Sequence, residues 1–113
     1  ATLVRARMCE LLAERGRRPA PDAYFMTGLL STLGVLLDQE LAQVIGNLPL
    51  SETVRKAILE LEGDLGEALR CAQAHEEARW DDMRFGSLNE TQIREVYLSS
   101  VAWANEVNAQ VAF

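Results

Sequence analysis

Apolar residues recur every three or four positions through most of the chain, a spacing that suits one face of an α-helix and not a strand, whose side chains switch faces at each step. Leu3, Val4, Met8, Leu11 and Leu12 mark a first helix, which the stretch Arg15-Gly16-Arg17-Arg18-Pro19 brings to a stop. Pro21 and Asp22 restart the chain. Tyr24, Phe25, Leu29, Leu30, Leu33, Leu36 and Leu37 then form a wide apolar face with Gly28 and Gly34 inside it. A glycine inside a helix costs roughly 1 kcal/mol against alanine, so these two predict a close helix–helix approach.

The punctuation continues to the end. Asp38 is the expected cap of a short helix carrying Leu41, Val44 and Ile45, which stops at Gly46 and the Asn47-Leu48-Pro49 step. Ser51 caps the next helix, with Val54, Ala57, Ile58 and Leu61 on one face and Gly63 expected in the left-handed position past its end. Asp64 is the expected cap of a helix through Leu65, Ala68, Leu69, Ala72 and His75 to Arg79, and Trp80 to Gly86 reads as a turn or a single helical turn. Asn89 and Gln92 form a capping box ahead of a long helix with a stripe of Ile93, Val96, Tyr97, Ser100, Val101, Ala104 and Val107. The β-branched residues are scattered among helix formers, so the expected fold is all-α: a compact bundle of about six helices. With 113 residues there is room for one domain, spanning 1–113, and one core.

Charge narrows the function classes. The chain carries 11 basic and 17 acidic residues, a net charge of −6, although residues 1–18 hold five arginines against two glutamates. A nucleic-acid partner draws on clustered Lys and Arg, so the acidic remainder argues against one, and that reading rests on the first arginines alone. Arg17 and Arg18, at the end of the basic stretch, are candidate contacts for an acidic partner. No apolar run approaches the length of a membrane span and no leader pattern opens the sequence; the expectation is a cytoplasmic protein with no membrane association. Cys9 and Cys71 sit in apolar helical patterns without a Cys or His at ligand spacing, which predicts buried free thiols.

No constellation of reacting groups stands out. His75-Glu76-Glu77-Ala78-Arg79 begins like a zinc-protease helix, but Arg79 stands where the second imidazole must be and the chain has one histidine. His75 is expected near a helix C-terminus, whose dipole favours its protonated form. Gly63-Asp64-Leu65-Gly66 resembles a backbone-clamping loop, yet Glu60, Glu62 and Glu67 flank it. Adjacent carboxylates at Glu76-Glu77 and Asp81-Asp82 diverge by about 100° on a helix and cannot face one another across a substrate. Ser31, Ser51, Ser87, Ser99 and Ser100 have only His75 as an available base. Trp103 is expected in the core, while Trp80, between Arg79 and Asp81, suits a partner-facing anchor equally well.

The segment Tyr24 to Gly34, reading YFMTGLLSTLG, resembles the signature helix of the HD superfamily, in which "GLLHDIG" or a close relative supplies a His-Asp metal-ligand pair. Ser31 and Thr32 occupy that pair here. The chain is similar to the HDOD branch, the HD-related output domains that keep the helical fold without the ligand set. Residues 3–14 (LVRARMCELLAE), 28–41 (GLLSTLGVLLDQEL), 47–69 (NLPLSETVRKAILELEGDLGEAL) and 97–107 (YLSSVAWANEV) resemble successive blocks of HDOD domains that follow an EAL domain in bacterial cyclic-di-GMP signalling proteins. The resemblance implies the C-terminal part of such a domain, with further N-terminal helices and any EAL domain upstream of Ala1. It also implies a non-catalytic regulatory module without cofactor or bound metal, acting through a protein partner, an adjacent EAL domain or self-association. The competing expectation is a residual metal-dependent phosphohydrolase of the HD type, which needs the imidazole and carboxylate that Ser31 and Thr32 replace.

Overall fold

In a computed structural model, which describes residues 2–33 and 40–111, the helical punctuation becomes six α-helices and one 3₁₀ turn. They are α1 (Thr2–Arg15), α2 (Pro21–Leu30), α3 (Leu41–Gly46), α4 (Glu52–Glu60), α5 (Gly63–Glu76), the 3₁₀ turn Trp80–Asp82, and α6 (Glu90–Val111). Among the described residues there is no strand, so the all-α expectation holds. None of the described helices is long and apolar enough to cross a membrane.

The centre of the fold is α1, which packs against α2, α5 and α6. Its sequence explains this position: Ala6, Met8, Cys9, Leu12 and Ala13 are all at most 1% exposed, enough to serve neighbours on more than one side. Leu65, Ala68, Leu69, Cys71 and Ala72 of α5 and Ile93 and Val96 of α6 complete the core with Tyr24, Met83 and Phe85. Burying each large aliphatic side chain here contributes about 1.5–3 kcal/mol. The radius of gyration, 13.6 Å, matches the roughly 13 Å of a compact domain of this length.

Gly28 supplies the close approach its position predicts. A Cβ there would stand 2.8 Å from the Ala6 Cα and 3.0 Å from the Arg5 carbonyl oxygen, so α1 and α2 touch backbone to backbone. Gly34, Leu36, Leu37 and the proposed Asp38 cap lie outside the described residues. Where a helix running through Leu33 was expected, α2 ends at Leu30. The reason is chemical: the Ser31 and Thr32 hydroxyls donate to the carbonyls of Gly28 and Leu29, both at 2.7 Å, drawing off acceptors of the last turn.

The caps divide. Ser51 accepts from the Val54 amide at 3.3 Å, and Asn89 and Gln92 exchange two bonds of 2.8 Å, as the capping box requires. Helix α4, however, closes on Leu61 in the left-handed region (φ 56°), with Gly63 (φ 74°) already opening α5, so Glu62 and not Asp64 is the N-cap. At the end of α1 the left-handed residue is Arg17, not Gly16; the Arg17 and Arg18 amides bond back to Glu14 and Ala13 in a Schellman closure. Gly16 is needed for a different reason, because a Cβ there would meet the Phe85 ring at 2.8 Å. Arg55 holds α3 against α4 by donating to the carbonyls of Ile45 (2.9 Å), Leu48 and Leu50 (both 3.3 Å), where the helix end is electronegative.

Candidate functional site

Ser31 and Thr32 sit where α2 ends, and both are buried. Among the described residues Thr32 bonds to Leu29 in its own turn, whereas Ser31 also accepts from the Arg5 guanidinium, Nη1 to Oγ at 3.0 Å. That guanidinium is held by Glu76 at the end of α5 in a two-pronged contact, Nε to Oε2 and Nη2 to Oε1, each 2.8 Å. The side chains are 19% and 35% exposed. The bond to Glu76, ahead of the opposing effect of burial, raises the Arg5 pKa above its already high ordinary value, so the position beside Ser31 carries a fixed positive charge.

The network extends along a shallow cleft of about 90 Å³ lined by Val4, Arg5, Met8, Glu76 and Tyr97. On its far side His75 stacks on Tyr97, with ring centroids 4.1 Å apart, and meets Trp80 edge-on at 5.7 Å. The helix end was expected to favour the imidazolium. Instead burial, with a contribution from Arg94, lowers the His75 pKa against the opposing pull of Glu76, and the neutral ring persists to lower pH. The single histidine is thus a packing residue between two aromatics.

The other sequence candidates separate. Trp80 is 56% exposed, in the position of a surface anchor. Trp103 is only half-buried, edge-on to Phe25 at 5.9 Å and under the Arg7 guanidinium at 5.2 Å, so it lies outside the core expected for it. Arg17 is exposed. Its neighbour Arg18 is engaged inside the molecule: its guanidinium lies 4.3 Å from the Phe85 centroid and bonds to Glu67 at 3.0 Å, with Asp64 at 3.3 Å. The two arginines proposed as a docking pair therefore do different things, and only Arg17 faces outward. Arg5, Arg7 and Arg15 of the basic stretch pair with Glu76, Glu10 and Glu95.

Cys9 and Cys71 are free and buried, and burial pushes both thiols up to about 12, too high for a reactive thiolate near neutral pH. Among the described residues, no three His, Cys, Asp or Glu side chains gather as a metal site would need. The Arg5–Glu76 pair, 71 residues apart, was invisible to local patterns; its only sequence trace is a lone arginine within the apolar stripe of α1.

Two longer proteins share this sequence. Over 108 residues the chain is 32% identical to the uncharacterized protein YuxH of Bacillus subtilis, covering 94% of this chain and 26% of that protein. Over 112 residues it is 30% identical to the cyclic di-GMP phosphodiesterase CdgJ of Vibrio cholerae, covering 95% of this chain and 26% of that protein. No protein-family profile and no solved structure matches it. The chain spans about a quarter of the length of both relatives, and it is to one stretch of each that it is similar.

Proposed function

We propose that this chain is a non-catalytic regulatory module of the HDOD type in cyclic-di-GMP-related signalling, working by contact with a protein partner or an adjoining EAL domain. Similarity to a stretch of a cyclic di-GMP phosphodiesterase supports the signalling context, and the HDOD assignment rests on the blocks of residues 3–14, 28–41, 47–69 and 97–107.

One observation carries the non-catalytic reading: the Arg5 guanidinium is bonded to Ser31, the residue standing in place of the superfamily's histidine ligand. A divalent ion about 4 Å from that charge would meet repulsion on the order of several kcal/mol even with substantial screening, and a serine hydroxyl offers a far weaker ligand than imidazole. Glu76, the carboxylate bonded to that guanidinium, is already held in both prongs by Arg5. A platform of this kind acts by shape, and the exposed Trp80 is a natural point of contact because large rigid aromatics dominate binding energy.

The test is direct. Purified chain incubated with cyclic di-GMP and Mn²⁺ or Mg²⁺ should release no linear dinucleotide or mononucleotide above the buffer rate. Turnover that scales with protein concentration would replace this reading with the residual phosphohydrolase.

A further inference from the structure

The connection between α1 and α2 takes an unfavourable path. Arg17 and Ala20 both hold left-handed backbone conformations, φ 57° and 56°. At Arg17 this is the ordinary close of a helix. Ala20 (ψ 60°) is different, because it precedes Pro21, whose ring crowds the residue before it out of helical conformations and towards extended ones. A left-handed alanine there is disfavoured twice, by its own Cβ and by the ring that follows. No side chain caps α2 at this entry.

The restraint on Ala20 comes from its neighbour. Arg17, Pro19 and Ala20 are exposed, and Arg18 alone of residues 17–20 turns inward. Its guanidinium covers the Phe85 ring and bonds to Glu67 Oε1, while Oε2 of the same carboxylate accepts from the Gly86 amide at 2.8 Å. Arg18 therefore ties the connection to α5 and to the turn at Phe85 and Gly86. Helix α2 itself lies close on α1 at Gly28, yet of its large side chains only Tyr24 is buried, edge-on to that same Phe85 ring at 6.4 Å. Thr27, Gly28 and Ser31 make up the rest of the buried face.

We infer that α2 is a hinged strap latched by Arg18, with Ala20 as the hinge: left-handed when the strap is closed, extended when it is open. Rotation of Ala20 to the conformation that Pro21 favours changes the direction in which α2 leaves the connection. That movement parts Tyr24 from Phe85 and Ser31 from the Arg5 guanidinium. Hinges are a few residues at element ends that absorb a large backbone change, and elements that bury few large apolar side chains open before the rest of a fold. Latch and hinge are coupled, since Arg18 must leave Phe85 and Glu67 before the connection can relax. The inference stands on the backbone path and on the packing of α2, and the nucleotide assay decides nothing about it.

Native-state amide hydrogen exchange tests this, reading residues 25–30 of α2 beside residues 68–74 of α5. In the unmodified chain the α2 amides should exchange about tenfold faster or more, through an opening that leaves α5 closed. Ala20→Gly, which accepts the left-handed conformation, should slow the α2 amides about fivefold, and Ala20→Val, which resists it, should speed them by about the same factor. Arg18→Met keeps an apolar stem on Phe85 without the guanidinium and should speed them about tenfold. Ile93→Val is the control. It loosens the core that α6 shares with α5, so α5 exchange should rise about fivefold while α2 exchange stays unchanged. An equal response of α2 and α5 to Ile93→Val means that α2 opens only with the whole fold, and it overturns the inference. Slowing of α5 alone by Ala20→Gly also overturns it, because Ala20 then stays left-handed when α2 opens. Should Arg18→Met fail to fold, the two Ala20 variants and Ile93→Val decide, since all three keep Arg18 in place.

Discussion

Replacing Arg5 with methionine removes the charge while keeping an unbranched apolar stem against α1, so its effect isolates the guanidinium. Two reference cases bracket the cost. Exposed ion pairs contribute at most about 1 kcal/mol, whereas removing one partner of a fully buried pair costs about 3–5 kcal/mol. Arg5 and Glu76 are 19% and 35% exposed, between these limits, and the contact is two-pronged. The substitution should therefore cost about 2 kcal/mol, which for a domain of this length lowers Tm by about 8 °C. A double-mutant cycle with Glu76→Gln, followed by urea denaturation, should return a coupling of about 1–2 kcal/mol. If Arg5→Met lies within about 0.5 kcal/mol of wild type, or if the two substitutions simply add, the guanidinium is not the fixed centre described for it.

Other outcomes are as specific. Gly66→Ala should cost about 2–3 kcal/mol and lower Tm by about 10 °C by thermal melt, because its Cβ would land 2.3 Å from the Leu61 carbonyl carbon, a backbone atom that cannot swing aside. Ala78→Gly should raise stability by about 1 kcal/mol, since Ala78 holds a left-handed conformation (φ 57°) at the close of α5. With both cysteine pKa values pushed up to about 12, a thiol reagent at pH 8 should label the folded chain slowly and the denatured chain fully. The unfolded thiols ionise first, so stability should fall as pH rises from about 9 towards 12. His75 has the opposite sense: its folded pKa lies below 6.5, so its contribution is complete above that value and is lost as pH falls through the folded pKa. Denaturation midpoints measured across this range should show a slope that His75→Phe removes.

Local rules were legible in the sequence because their partners lie within a few residues. The Ser51 cap, the Asn89–Gln92 exchange and the glycine contact of α2 are all set by neighbours or by one missing side chain. Periodicity failed on α2, where apolar spacing marked a wide face but could not say which side turns inward. Steric room for α1 decided that, in favour of Thr27, Gly28 and Ser31. Glycine stands beside the left-handed closures at Arg17 and Leu61, in Gly16 and Gly63, and points to the wrong residue of each turn; at Ala78 no glycine marks the closure, so helical spacing runs on to Arg79 while the helix ends at Glu76. At the candidate site, Ser31 and Thr32 were identified from the sequence, but Arg5 and Glu76 were not, as nothing local links residues 71 apart. Arg18 likewise looked like free surface charge until Phe85 was brought under its guanidinium.

The most direct measurement is anomalous diffraction at the manganese edge from crystals grown in excess Mn²⁺. The account predicts no ordered scatterer within coordinating distance of Ser31 or Thr32, with the Arg5 guanidinium bridging Ser31 and Glu76 in the electron density. A strong peak ligated by the Ser31 or Thr32 hydroxyl together with other protein side chains, with Arg5 displaced, would contradict it.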